Sequence, residues 1–158
     1  MDMIRLSVPG TLLYRDIVLR VVASACRLVK PQSTKQESSR ESAEFSDKFV
    51  SAVGEAFNNV VLHAYRGRAA GPIEMELEVD RDRLTVRLID TGAGFDPLHE
   101  HAPDLRSLPE SKMGLYIIRS CVDDMSYRRG DPPLVPNVLT LTKRHVCSAA
   151  DAAADTGS

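Results

Sequence analysis

Residues 73–79 read IEMELEV, and after Asp80-Arg81-Asp82 the chain resumes at 84–90 as LTVRLID. The first run alternates without a fault. Ile73, Met75, Leu77 and Val79 fall on one face, and Glu74, Glu76 and Glu78 on the other. Successive side chains of a strand point to opposite faces, so this pattern predicts a strand with one buried and one wet face. The charged turn and the second run make its partner strand. A sheet that is dry on one side needs a cover, and the flanking sequence offers one.

Upstream, residues 40–66 predict a long helix with Phe45, Phe49, Ala52, Val53, Ala56, Phe57, Val60, Val61 and Ala64 in an apolar stripe. Ser38 and Glu41 have the spacing of a capping box. Gly67 and Gly71-Pro72 close the helix. Residues 3–8 (MIRLSV) alternate like a strand, Pro9-Gly10 breaks it, and Thr11 to Val29 suits an amphipathic helix. The polar stretch PQSTKQESSR (31–40) reads as a loop. Downstream, residues 91–112 form a long irregular connection. Gly114 to Val122 reads as a short helix, and Met125 to Arg129 and Val138 to Lys143 as strands. The expected architecture is α+β, a sandwich with helices on one face of a mostly antiparallel sheet. One domain spans 1–146, and the tail 147–158 has little to bury.

The composition narrows the function. The chain of 158 residues is the size of one ordinary domain. It carries 20 basic and 22 acidic residues, a net charge of −2. A polyanion binder needs surplus Lys and Arg, so direct nucleic-acid binding is not expected. With no Trp and only four Phe and four Tyr, the core must be mostly aliphatic. Cys26, Cys121 and Cys147 are scattered and odd in number, which argues against a zinc site or a disulfide framework. No secretory leader and no membrane span is legible, so a cytoplasmic protein is expected.

Three motifs carry chemistry. In GEAFNNVVLHAY (54–65), Glu55, Asn59 and His63 are each four residues apart, so a regular helix stacks them on one face. By itself that is an ordinary solvent face. In DTGAGF (90–95), Asp90 ends a strand, and Gly92 and Gly94 let the backbone turn tightly beside a ligand. By itself that is an ordinary turn. In SKMGL (111–115), a helix start offers free N–H groups to phosphate, and Lys112 adds a charge. By itself that is a helix cap with an exposed Lys.

The order of these motifs changes their weight. EAFNNVVLHAY, then DTGAGFD after a hairpin, then KMGLYII after a long loop, then YRRG and NVLTLTKR together resemble the GHKL ATP-binding superfamily. The HAY after the Asn resembles its bacterial anti-sigma factor serine kinases. The resemblance covers about residues 3–145 and implies a Bergerat-type two-layer sandwich, with an ATP lid over 96–113. It implies Mg²⁺ at Asn59, a general base at Glu55, and the adenine amine on Asp90 with Gly92 and Gly94 shaping that pocket. It further implies nucleotide contacts at His63, Lys112, Met113, Gly114 and Asn137. The family's glycine box usually has a Gly where Lys112 stands, which is the one departure.

The same resemblance implies the activity: Mg·ATP-dependent phosphorylation of a serine on a small anti-sigma antagonist, coupled to sequestration of a sigma factor or another protein regulator. Relatives tend to dimerise, and the sequence decides no interface. Two alternatives stay open. One is a non-catalytic module in which ATP only gates a partner protein. The other is a histidine-kinase-like ATPase domain, which would normally accompany a dimerisation helix pair that is not legible here.

Overall fold

The alternation of residues 73–79 is obeyed to the residue: Ile73, Met75, Leu77 and Val79 are buried and the three Glu are not. The computed structural model describes residues 1–30, 39–94 and 110–146. In chain order the elements are β1 (Asp2–Pro9), α1 (Arg15–Cys26), α2 (Ser39–Asn59), β2 (Pro72–Val79), β3 (Arg83–Asp90), α3 (Glu110–Cys121), β4 (Asp124–Arg128) and β5 (Asn137–Arg144). The five strands lie in the order β1-β2-β3-β5-β4, and all four ladders are antiparallel.

The buried face of the sheet adds Leu84, Val86 and Leu88 from β3 and Leu139 and Leu141 from β5. Phe49, Val53 and Phe57 of α2 are fully buried in the same core. A fully buried Phe or Leu contributes about 1.5–3 kcal/mol, so this layer holds α2 on the sheet. Helices α1 and α3 pack on either flank of α2. Gly54 leaves room for Arg15, whose Nε–H donates to Asn58 Oδ1 at 2.9 Å and ties α1 to α2. Burial in the α1–α2 seam pushes the Cys26 thiol up to about 11. The opposite face of the sheet is polar. Register sets Arg5 beside Glu76 and Glu76 beside Arg87, and Arg5 and Glu76 form an ion pair at 3.1 Å.

Three boundaries differ from expectation. The first helix begins with a 3₁₀ turn at Leu12–Tyr14, and its α part stops at Cys26, because Arg27, Leu28 and Val29 close with i→i−3 bonds. The long helix is α-helical only to Asn59 and continues as one π turn, Val60–Ala64. The last helix starts at Glu110, so residues 110–112 belong to a helix and not to the irregular connection. Residues 31–38 of the expected loop 31–40, the capping residue Ser38, residues 96–109 of the expected lid 96–113 and the tail 147–158 lie outside the described residues.

Candidate active site

Two clusters are linked through the end of α2. The first closes the β3–β5 ladder, whose register pairs Asp90 with Asn137. Both are buried, at 4% and 0% exposure. Asp90 Oδ1 accepts the Gly92 N–H at 2.9 Å and the Asn137 Nδ2–H at 3.0 Å. Asn137 Nδ2–H also donates to Gly92 O at 3.1 Å, and Asn137 Oδ1 accepts the Gly130 N–H at 3.0 Å. Both bonds to the carboxylate fall on Oδ1, and Oδ2 takes no part in either. The glycines are required by space. A Cβ at Gly92 would run into the Ala64 carbonyl, and one at Gly94 would stand 2.6 Å from the Tyr127 hydroxyl. Gly94 also has φ +82°, a region that side-chain-bearing residues avoid.

The second cluster lies on α2. Glu55 and Asn59 sit one α-helical turn apart, so one stacks above the other as the spacing requires. Gly114 of α3 rests against Glu55: a Cβ there would be 2.6 Å from Glu55 Oε2. His63 falls inside the π turn, whose i→i+5 bonding interrupts the i,i+4 line. Lys112, Met113 and Gly114 are inside α3 and not at its first residue. Their amides still belong to, or border on, the first turn, where N–H groups lack intrahelical acceptors. Met113 is partly exposed and Gly114 is buried. The Lys112 side chain is outside the described residues.

The two clusters are joined through the π turn. The Ala64 carbonyl accepts the Ala93 N–H at 2.7 Å, so the end of α2 grips the 90–94 loop directly. Beyond the nucleotide contact that the resemblance implies for Asn137, its three hydrogen bonds brace Asp90, Gly92 and the turn at Gly130. The motifs assign no role to Tyr65, whose hydroxyl donates to Pro72 O at 2.7 Å and accepts the Thr91 N–H at 3.3 Å. The only signal was an aromatic residue just beyond the last helical turn.

The donor set fits a nucleotide with one Mg²⁺. Asp90 offers a fixed buried carboxylate beside a glycine cradle, which suits an amine-bearing ring. Among the described residues no three His, Cys, Asp or Glu side chains gather to hold a metal. An ion at Asn59 would therefore rest on one carboxamide oxygen, phosphate and water, which Mg²⁺ accepts.

Comparisons with known proteins bear on the family and the fold. Residues 18–143 match the histidine kinase-like ATPase domain family. The chain is 34% identical over 79 residues to the anti-sigma F factor of Clostridium beijerinckii, covering 46% of this chain and 53% of that protein. It is 35% identical over 92 residues to the serine/threonine-protein kinase BtrW of Bordetella bronchiseptica, covering 56% and 63%. It is 33% identical over 82 residues to the serine-protein kinase RsbW of Listeria innocua, covering 47% and 52%. The matches thus span between half and two thirds of these relatives. Among solved structures, the RsbU and RsbW domains of a Mycobacterium tuberculosis protein superpose with a TM-score of 0.55 at 14% identity, over 91% of this chain and 32% of that one. That likeness shows the fold.

Proposed function

The chain belongs to the histidine kinase-like ATPase domain family, and from that premise we propose that it binds Mg·ATP between α2, the 90–94 loop and α3. It transfers the γ-phosphoryl group to a serine of a small protein antagonist and holds a sigma factor or similar regulator in the alternative state. The names of the relatives in Clostridium, Bordetella and Listeria support this class of activity. The observation that carries the nucleotide part is the buried Asp90, pinned through Oδ1 by Gly92 and Asn137.

Each residue then has a role. Asp90 accepts the exocyclic amine of adenine, with Gly92 and Gly94 keeping the wall free of side chains. Asn59 offers its carboxamide oxygen to Mg²⁺, which when bound neutralises phosphate charge. Glu55, one turn earlier, takes the proton of the incoming serine hydroxyl. Gly114 and the amides at the start of α3 face the phosphates, with Lys112, Met113 and His63 as further contacts. The proposed place of action is the cytoplasm; no helix among the described residues is long and apolar enough to cross a membrane.

A second reading is a nucleotide-gated binding module without turnover. Lys112 favours it, because the family resemblance implies a glycine at that position. Titration calorimetry with ATP, with and without Mg²⁺, tests the shared premise, and no binding would overturn both readings. Phosphoserine on a co-purified partner, lost in Glu55→Gln, separates them. Binding with no transfer to any bound partner leaves the gated module.

A further inference from the structure

We propose that Tyr65 is a positioning residue whose hydroxyl latches the 90–94 loop to the start of β2, so that Asp90 meets the adenine ring at a preset place. The last part rests on the nucleotide reading above; the latch itself does not. Tyr65 is only 7% exposed. Its ring lies in a slot between two glycines from neighbouring strand ends. A Cβ at Gly10 would stand 2.9 Å from Cε2, and one at Gly71 would stand 2.7 Å from Cε1. The Gly10 N–H donates to Gly71 O at 2.8 Å and closes the slot. The ring can therefore neither swing nor tilt without moving backbone.

The slot delivers the hydroxyl to two backbone groups. It donates to Pro72 O at 2.7 Å and accepts the Thr91 N–H at 3.3 Å. The preceding residue does a parallel job, since Ala64 O accepts the Ala93 N–H. Residues 64 and 65 thus hold residues 93 and 91, on either side of Gly92. Both grips sit at the end of the π turn, where the widened backbone turn frees a carbonyl from the helix ladder. A tyrosine that only filled the core would not need its hydroxyl.

Tyr65→Phe keeps the ring in the slot and removes the grip. Amide hydrogen exchange reads the latch in the unliganded protein. We expect Thr91 to exchange roughly tenfold faster, as the loss of one hydrogen bond allows, with the interior amides of β2 unchanged. Calorimetry is expected to show ATP affinity weakened roughly tenfold. Phosphoryl transfer at saturating ATP is expected to match the wild type, so the loss appears in KM and not in kcat. Unchanged exchange at Thr91 overturns the latch. Faster exchange with unchanged ATP affinity overturns the positioning role. A wild-type protein that binds no ATP defeats the nucleotide reading and the positioning role with it, while the exchange experiment still decides the latch.

Discussion

The two halves of the candidate site are built in opposite ways. Around Asp90, the partners are fixed: a ladder register, a fully buried amide on Asn137, and Gly92 pressed against backbone. Around Glu55, the partners are one helical face and the glycine of a neighbouring helix, with half-exposed side chains. A buried polar network is costly to disturb, because each member left unpaired loses about 1–3 kcal/mol. The half around Asp90 is therefore preorganised before a ligand arrives. The half around Glu55 gains its final geometry from what binds. Substitutions in the first half should move affinity and stability, and those in the second should move rate.

Glu55→Gln breaks or confirms that division most sharply. It keeps size and hydrogen bonding and removes the base, so transfer should fall roughly 10²–10⁴-fold. ATP affinity should stay within about twofold, because Glu55 contacts neither the ring nor its pocket. Parallel phosphotransfer assays and calorimetry check this. A matching loss of affinity would mean that the two halves are not separable.

Gly92→Ala should do the reverse. Its new methyl meets the Ala64 carbonyl, which is backbone and cannot swing aside. Overpacking of this kind costs about 1–3 kcal/mol, read as a lower midpoint in denaturant unfolding. Asp90→Asn is gentler. Its amide oxygen can still accept from Gly92 and Asn137, which turns the amide nitrogen toward the ligand. Two facing donors should weaken ATP binding roughly ten- to a hundredfold, with the fold intact. A thermal midpoint that drops as far as in Gly92→Ala would show that the carboxylate serves the fold more than the ligand.

The sequence was unequally informative about the two halves, for physical reasons. The strand pattern of IEMELEV and the i,i+4 pairing of Glu55 with Asn59 are local, and local periodicity is what a sequence displays. The bond from Asn137 to Asp90 spans 47 residues and exists only because β5 pairs with β3. Motif resemblance could bring Asn137 near the purine, yet its bracing role needed the strand order. The π turn was invisible because VVLHA carries the same apolar spacing as the helix before it. The bond that Ala93 N–H donates to Ala64 O at the end of this turn joins residues far apart in sequence. Gly10 and Gly71 read as chain breakers, and their shared role as the walls around Tyr65 appears only when β1 lies beside β2. Gly114 read as the start of a helix, but its space is set by Glu55 on a different helix.

Gly114→Ala tests the division with the smallest expected effect. Like Gly92, Gly114 has an atom too close to where its methyl would be, here at 2.6 Å, and an unrelieved contact at that distance is repulsive. The difference lies in what that atom is. At Gly92 it is a main-chain oxygen, while at Gly114 it is Oε2, the far end of a flexible Glu55 side chain. A rotation of Glu55 relieves the clash at little cost in stability, since helix propensity itself favours Ala over Gly by about 1 kcal/mol. The unfolding midpoint should therefore hold steady or rise. The carboxylate would then no longer sit where the proposed transfer needs it to meet the hydroxyl. Misplacement by about 1 Å can cost up to 10²-fold in rate, and partial recovery by rotation makes about tenfold the expected loss. ATP affinity should fall less than the rate, because the methyl meets Glu55 and leaves the Asp90 pocket as it is. If Gly114→Ala instead lowers stability as Gly92→Ala does, α3 is as rigidly seated as the 90–94 loop, and the contrast between the two halves fails.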